Sequence, residues 1–240
     1  MKFYGASDVG LMRKSNQDSF LLTENEQGTV LALICDGIGG GKAGDVASKI
    51  ATDYLGQCFK TANQLETDEE IREWIKMSII HANDLIFTQS TSSNSQRGMG
   101  TTLVGALIGK AGTYVFNVGD SRLYAYYNEL ICMTTDHNLV NDLIKSGELS
   151  VEDAQNHPQK NLLTNALGIW DNVRIDINKI KEEYRYILIC SDGLHSYVTQ
   201  DKITRTLINE DSVQNKVNNL IDISKLVGGF DNVSVIVIEK

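Results

Sequence analysis

Proline occurs once in this chain of 240 residues, at Pro158. Low-complexity tails, long charge blocks, internal repeats and linker-like stretches are all missing, so nothing in the sequence divides it into separate domains. Cysteine is sparse: Cys35, Cys58, Cys132 and Cys190 form no CxxC pair, which suggests neither a zinc site nor a redox motif. Cys35 and Cys190 lie inside apolar runs, where a reduced thiol behaves as a small hydrophobe. Positive charge is in deficit. The 22 Lys and Arg against 31 Asp and Glu give a net charge of −9. That balance argues against nucleic acid or an anionic membrane as the main partner and is compatible with collecting divalent cations. The first fifteen residues lack the apolar stretch of a signal peptide, and no apolar run is long enough to span a bilayer. The expectation is a soluble cytoplasmic protein without membrane insertion.

What is present is enough apolar material, 42% of residues, for one sizeable core. Short runs rich in Val, Ile and Tyr and bounded by turn residues read as strands: 29–35, 103–108, 114–118, 184–190 and 233–238. Runs 29–35 and 184–190 are apolar nearly throughout, which predicts central strands covered on both faces. Helices are expected at 43–59, 68–88 and 211–226. The second carries Ile71, Trp74, Ile75, Ile79, Ala82 and Ile86 at helical spacing behind a Thr67/Glu70 capping box, and the third ends at Gly228 and Gly229. Residues 90–97 read as a polar loop. Residues 136–165, which hold Pro158, read as an irregular excursion with a helical stretch at 137–144 that Gly147 breaks. Strands, then helices, then many strands imply an α+β layered fold.

The most informative pattern is an aspartate at the end of an apolar strand. It occurs at Asp36, Asp120 and Asp192, and Asp231 stands just before the last strand. Any one of these is equally at home starting a turn or capping a helix. Four converging at one sheet edge would not all stay charged without a cation, and hard divalent ions with oxygen ligands resolve the repulsion. Gly37 and Gly193 behind two of them let backbone approach closely, so that a peptide carbonyl can also serve as a ligand.

The run Asp36–Asp45 contains Gly39-x-Gly41-x-x-Gly44, formally a dinucleotide fingerprint. It lacks the second parallel strand and acidic residue that should follow. Gly41-Lys42 is not a phosphate loop either, because Asp36 stands at the first glycine position and Ala43 replaces the Ser or Thr. A tight turn giving access to backbone is the preferred reading.

Six motifs in order resemble the bacterial branch of the PPM (type 2C) serine/threonine protein phosphatases. They are Ser7-Asp8-Val9-Gly10 with Arg13 and Asn16-Gln17-Asp18; Cys35-Asp36-Gly37-x-Gly39-Gly40; Gly98-Met99-Gly100-Thr101-Thr102-Leu103; Asn117 to Arg122; Cys190-Ser191-Asp192-Gly193-Leu194; and Asp231-Asn232-Val233-Ser234. The resemblance implies one catalytic domain over residues 1–240, built as a four-layer α-β-β-α sandwich of two antiparallel sheets flanked by helices. Two, and in some members three, Mg²⁺ or Mn²⁺ ions sit at one end. By motif, Asp36 would bridge two ions and the Gly37 carbonyl would bind one. Asp192 and Asp231 would bind the other, Asp120 with Asp192 a third, and Asp18 would orient water. Arg13 matches the arginine that clamps the substrate phosphate. A hydroxide bridging two ions about 4 Å apart would attack phosphorus in line, with no covalent enzyme intermediate. Residues 136–165 correspond to the family's flap. Ile38 stands where many eukaryotic members carry a histidine, which leaves the leaving-group acid unassigned. The expected partners are phosphorylated proteins and a companion Ser/Thr kinase. The alternative is a catalytically weak regulatory or binding module on the same fold. His81, His137, His157 and His195 are read as structural.

Overall fold

The computed structural model describes residues 1–39, 43–62, 65–92, 94–154 and 157–240. Gly40, Gly41 and Lys42, named in the glycine-cluster readings, lie outside them. The elements run β1 (Lys2–Asp8), β2 (Asp18–Glu24), β3 (Val30–Ile38), α1 (Gly44–Lys60), α2 (Asp68–Ser92), β4 (Gly100–Thr101), β5 (Leu103–Gly109), β6 (Gly112–Val118), β7 (Arg122–Tyr126) and β8 (Leu130–Cys132). They continue with α3 (Leu139–Ser146), α4 (Val151–Ala154), β9 (Asp176–Ile180), β10 (Tyr186–Cys190), α5 (Asp192–His195), α6 (Gln200–Ile208), α7 (Val213–Leu226) and β11 (Val233–Glu239).

Two sheets form, ordered β1-β11-β10-β7-β8 and β2-β3-β5-β6-β9, with β4 paired to β3. Every pairing among the described residues is antiparallel. The period of two along each strand divides the apolar side chains between two faces. On β3, Val30, Ala32 and Ile34 meet Ile187, Ile189 and Ile236 of the other sheet. Leu31, Leu33 and Cys35 face the layer of α1 and α2, which supplies Ala47, Leu55, Ile71, Ile75 and Ile79. On the other side Leu188, Cys190, Val235 and Val237 pack with Val217 and Leu220 of α7. Three apolar layers therefore separate four structural layers, the expected α-β-β-α sandwich. The all-apolar runs of β3 and β10 are its doubly covered central strands.

The Thr67/Glu70 capping box is formed: Thr67 N donates to Glu70 Oε2 (3.0 Å) and Glu70 N to Thr67 Oγ1 (3.2 Å). The polar loop expected at 90–97 is instead partly helix. α2 runs on to Ser92; the Thr91 and Ser92 hydroxyls return to the Phe87 and Gln89 carbonyls, and Ser90 is buried and accepts from Gly98 N. β3 passes beyond residue 35 to Ile38 because β4 pairs with its last residues, so Asp36 lies within a strand and not past its end. After β3 the chain enters α1 and α2 with no parallel strand following, which removes the dinucleotide reading. No helix among the described residues is long and apolar enough to cross a membrane.

Candidate metal and phosphate site

Asp36 is fixed by backbone and by two threonines. Its N–H donates to Thr102 Oγ1 (3.0 Å), and its carbonyl accepts from Thr102 N (2.8 Å) and Thr101 Oγ1 (2.9 Å). Thr102 Oγ1 lies 2.8 Å from Ser121 Oγ, which ties β3 to the β6–β7 turn carrying Asp120. Asp192 begins α5 directly after β10, and Asp231 stands two residues ahead of β11. The glycines behind Asp36 and Asp192 are needed for close approach of backbone to backbone. A Cβ on Gly37 would stand 2.3 Å from Gly44 O, and one on Gly193 would stand 1.9 Å from Asn232 O.

A cleft of about 230 Å³ is lined by Arg13, Asp36, Gly37, Ile38, Asp120, Asp192 and Asp231. Asn161 and Leu163, from the 136–165 segment, also border it. Asp18 does not line this cleft. It opposes Asp36 across the β2–β3 pair, and its Oδ2 accepts from Ser191 and Ser234 hydroxyls, both at 2.7 Å. Arg13 Nη2 donates to Asp231 Oδ2 at 2.8 Å.

Repulsion and burial dominate the electrostatics. Desolvation first, then neighbouring aspartates, push Asp18 and Asp120 up to about 7. Burial, Asp18 and Asp192 raise Asp36 well above the carboxylate range, and burial and Asp231 raise Asp192, whose carboxyl is within hydrogen-bonding reach of Asp36. Asp18 Oδ1 and Asp192 Oδ1 are buried without a hydrogen-bond partner. Among the described residues no three His, Cys, Asp or Glu side chains are gathered closely enough to enclose one ion. Orphaned buried carboxylate oxygens, raised proton affinity and an all-oxygen donor set fit hard divalent cations.

A stability prediction follows. Asp18 and Asp120 bind protons up to pH about 7 when folded, well above the ordinary range of an aspartate. Their protonation stabilises the metal-free fold fully below pH 4, and this is lost as pH rises towards 7. The Tm in EDTA is expected to fall between pH 5 and pH 7.5. Mn²⁺ at a hundred times its Kd is expected to raise it by about 5–10 °C at pH 7.5. A melt by circular dichroism with and without the ion checks both.

Several residues that hold the site were not assigned a role in the sequence. Asn232 joins the two loops of the cleft: its Oδ1 accepts from Gln17 N (2.8 Å), and its Nδ2 donates to Val9 O (2.9 Å) and Ser15 O (3.0 Å). The signal in the sequence is its place in the Asp231-Asn232-Val233-Ser234 motif. His137 is fully buried; its Nδ1 accepts from Gly119 N (3.2 Å), and its Nε2 faces Asp176 Oδ2 at 3.0 Å. Burial lowers its pKa, so it is a neutral strut between the 136–165 segment and the turn of Asp120. His195 is pushed down to about 3 by burial, and its Nε2 donates to Asp120 O (3.1 Å). Both histidines bond to backbone of the turn that carries Asp120. Arg122 forms a two-pronged pair with Asp136 (2.9 and 2.8 Å) beside the cleft.

The family model described as Protein phosphatase 2C matches residues 12–223. The chain is 37% identical to the serine/threonine phosphatase stp of Listeria welshimeri, covering 98% of this chain and 94% of that one. It is 35% identical to protein phosphatase PhpP of Streptococcus pneumoniae, covering 95% and 93%. Among solved structures, Staphylococcus aureus serine/threonine phosphatase Stp1 superposes with a TM-score of 0.92 at 33% identity, over 100% of this chain and 94% of that one. The S. agalactiae serine/threonine phosphatase does so with a TM-score of 0.91 at 33% identity, over 100% and 99%. With sequence, sandwich and cleft in agreement, the chain belongs to the protein phosphatase 2C (PPM) family, in the branch of bacterial serine/threonine phosphatases.

Proposed function

We propose that residues 1–240 act as one catalytic domain that hydrolyses phosphoserine and phosphothreonine in proteins, opposing a Ser/Thr kinase in the cytoplasm. The observation that supports this best is the cleft itself, which Asp36 of β3, Asp120 of the β6–β7 turn, Asp192 at the start of α5 and Asp231 ahead of β11 line together with Arg13. Asp36, the Gly37 carbonyl, Asp192 and Asp231 would hold two divalent cations, and Asp120 with Asp192 would hold a third. Mg²⁺ or Mn²⁺ bound there would supply hydroxide from water at neutral pH and offset phosphate charge.

The chain's own residues do the rest. Arg13 is half exposed beside the cleft, and its planar guanidinium suits two phosphate oxygens and the charge that grows on them. Asp18, held behind the cleft by Ser191 and Ser234 with its Oδ1 unpartnered, would orient cation-bound water from the second layer. Ile38 borders the cleft and moves no proton, so no side chain at that position serves as the leaving-group acid. The 136–165 segment contributes Asn161 and Leu163 to the rim and bears on substrate choice.

The test is phosphate release from a phosphothreonine peptide by the purified protein. Release is expected with Mn²⁺ or Mg²⁺ and is expected to stop with EDTA. No release with either ion, from a folded protein and several peptides, would leave only a binding module on this fold.

A further inference from the structure

Large apolar side chains gather at the surface beside the arginine. Leu11, Met12, Tyr197 and Phe230 are 62%, 67%, 40% and 49% exposed. They come from three separate segments that the fold clips together. Leu11 N and Met12 N both donate to the Gly229 carbonyl, at 2.8 and 3.1 Å. The Phe230 ring lies over Gly228, where a Cβ would meet it at 2.2 Å, and Leu11 lies against Gly229 in the same way, at 2.7 Å. Tyr197 and Phe230 rings stand 5.3 Å apart, inclined by 39°. This arrangement holds the rings and Leu11 in place at the surface, and exposing them costs solvation that an occupant would recover.

The shelf is continuous with the phosphate site. Arg13 follows Met12, Asp231 follows Phe230, and Arg13 and Asp231 are joined at 2.8 Å. We infer that Leu11, Met12, Tyr197 and Phe230 form a subsite for an apolar side chain of the substrate protein, within two residues of the phosphorylated serine or threonine. The inference rests on the phosphatase reading above. A polypeptide whose phosphate meets Arg13 has neighbouring residues only about 3.8 Å apart along the chain, and the shelf begins at Met12 and Phe230, next in sequence to Arg13 and its partner Asp231. Its four side chains are aliphatic or aromatic, so the shelf selects by apolar contact and leaves charge recognition to the arginine.

The experiment compares kcat/KM, with Mn²⁺, for phosphothreonine peptides carrying leucine or glycine at each of the two positions on either side. At one of these positions leucine is expected to exceed glycine by about tenfold, the worth of a largely buried leucine side chain. Phe230→Ser and Leu11→Ser are expected to bring that ratio close to one, and Phe230→Leu to keep most of it. Leu11→Ser lies at an exposed position and carries the test if Phe230→Ser does not fold. Equal rates for leucine and glycine peptides with the unaltered protein overturn the subsite while leaving the phosphatase reading intact. So does an equal loss on both peptides in the variants. A concentration-dependent dimer with an unchanged peptide ratio gives the shelf to a second copy of the chain and also overturns it. Release from no peptide at all overturns the phosphatase reading and the subsite with it.

Discussion

Asp192→Asn is expected to lower kcat/KM for a phosphothreonine peptide by roughly 10³-fold or more, since cation-derived charge stabilisation contributes several kcal/mol and each 1.36 kcal/mol is tenfold. Asp192 is the carboxylate shared between the paired and the third cation in the proposed assignment. One of its oxygens, Oδ1, is buried with no partner in the protein. Asparagine keeps the size and removes the charge. The fold should survive, because the change also relieves repulsion from Asp231, which burial aggravates. The Tm in EDTA is therefore expected to be unchanged or higher, and the rise in Tm on adding Mn²⁺ to shrink. Normal turnover in this variant would contradict the assigned site. Lost turnover with an undiminished Mn²⁺ response would separate Asp192 from cation binding.

Arg13→Ala is expected to raise KM by about 10–100-fold, the cost of losing hydrogen bonds to a charged group, with a smaller fall in kcat. The phosphate carries its charge before and during the reaction, so a group that grips it contributes largely to both states. Arg13 also has a second partner. Its bond to Asp231 Oδ2 raises its own proton affinity and ties the two loops of the cleft. Part of the kcat loss will therefore come through Asp231. Arg13→Lys, which keeps the charge but not the fork, is expected to fall between the two. An unchanged KM in Arg13→Ala would take the arginine out of phosphate binding.

The central architecture was legible because it rests on local patterns. The unbroken apolar runs of β3 and β10 were read as strands covered on both faces, and each sends side chains into two of the three apolar layers. The capping box at Thr67 and the glycines after Leu226 marked helix ends through chemistry confined to a few residues. The outer strands were not legible. β1, β2 and β9 are only partly buried and carry Gly, Ser, Asp or Lys, and their pairing with β11, β3 and β6 forms them, not their own propensity. The helix α6 is not legible either; its Ile203 and Leu207 join the cluster of Val217 and Leu220 of α7 and Leu188 and Val235 of the sheet.

At the site, the sequence by itself determined the cast. It set aspartates against apolar strands, glycines behind two of them, and an ordered set of motifs specific enough to name a family. Residue types and short-range order are properties of the chain alone. Only the tertiary structure decided which residues meet. It drew Asp18 behind the cleft under two serine hydroxyls, engaged Arg13 with Asp231, and made Asn232 the tie between loops more than 200 residues apart. It also closed three segments into an apolar shelf beside the arginine. Contacts over such separations depend on how two sheets twist and stack, because side-chain direction is set by strand register and packing, not by neighbours along the chain.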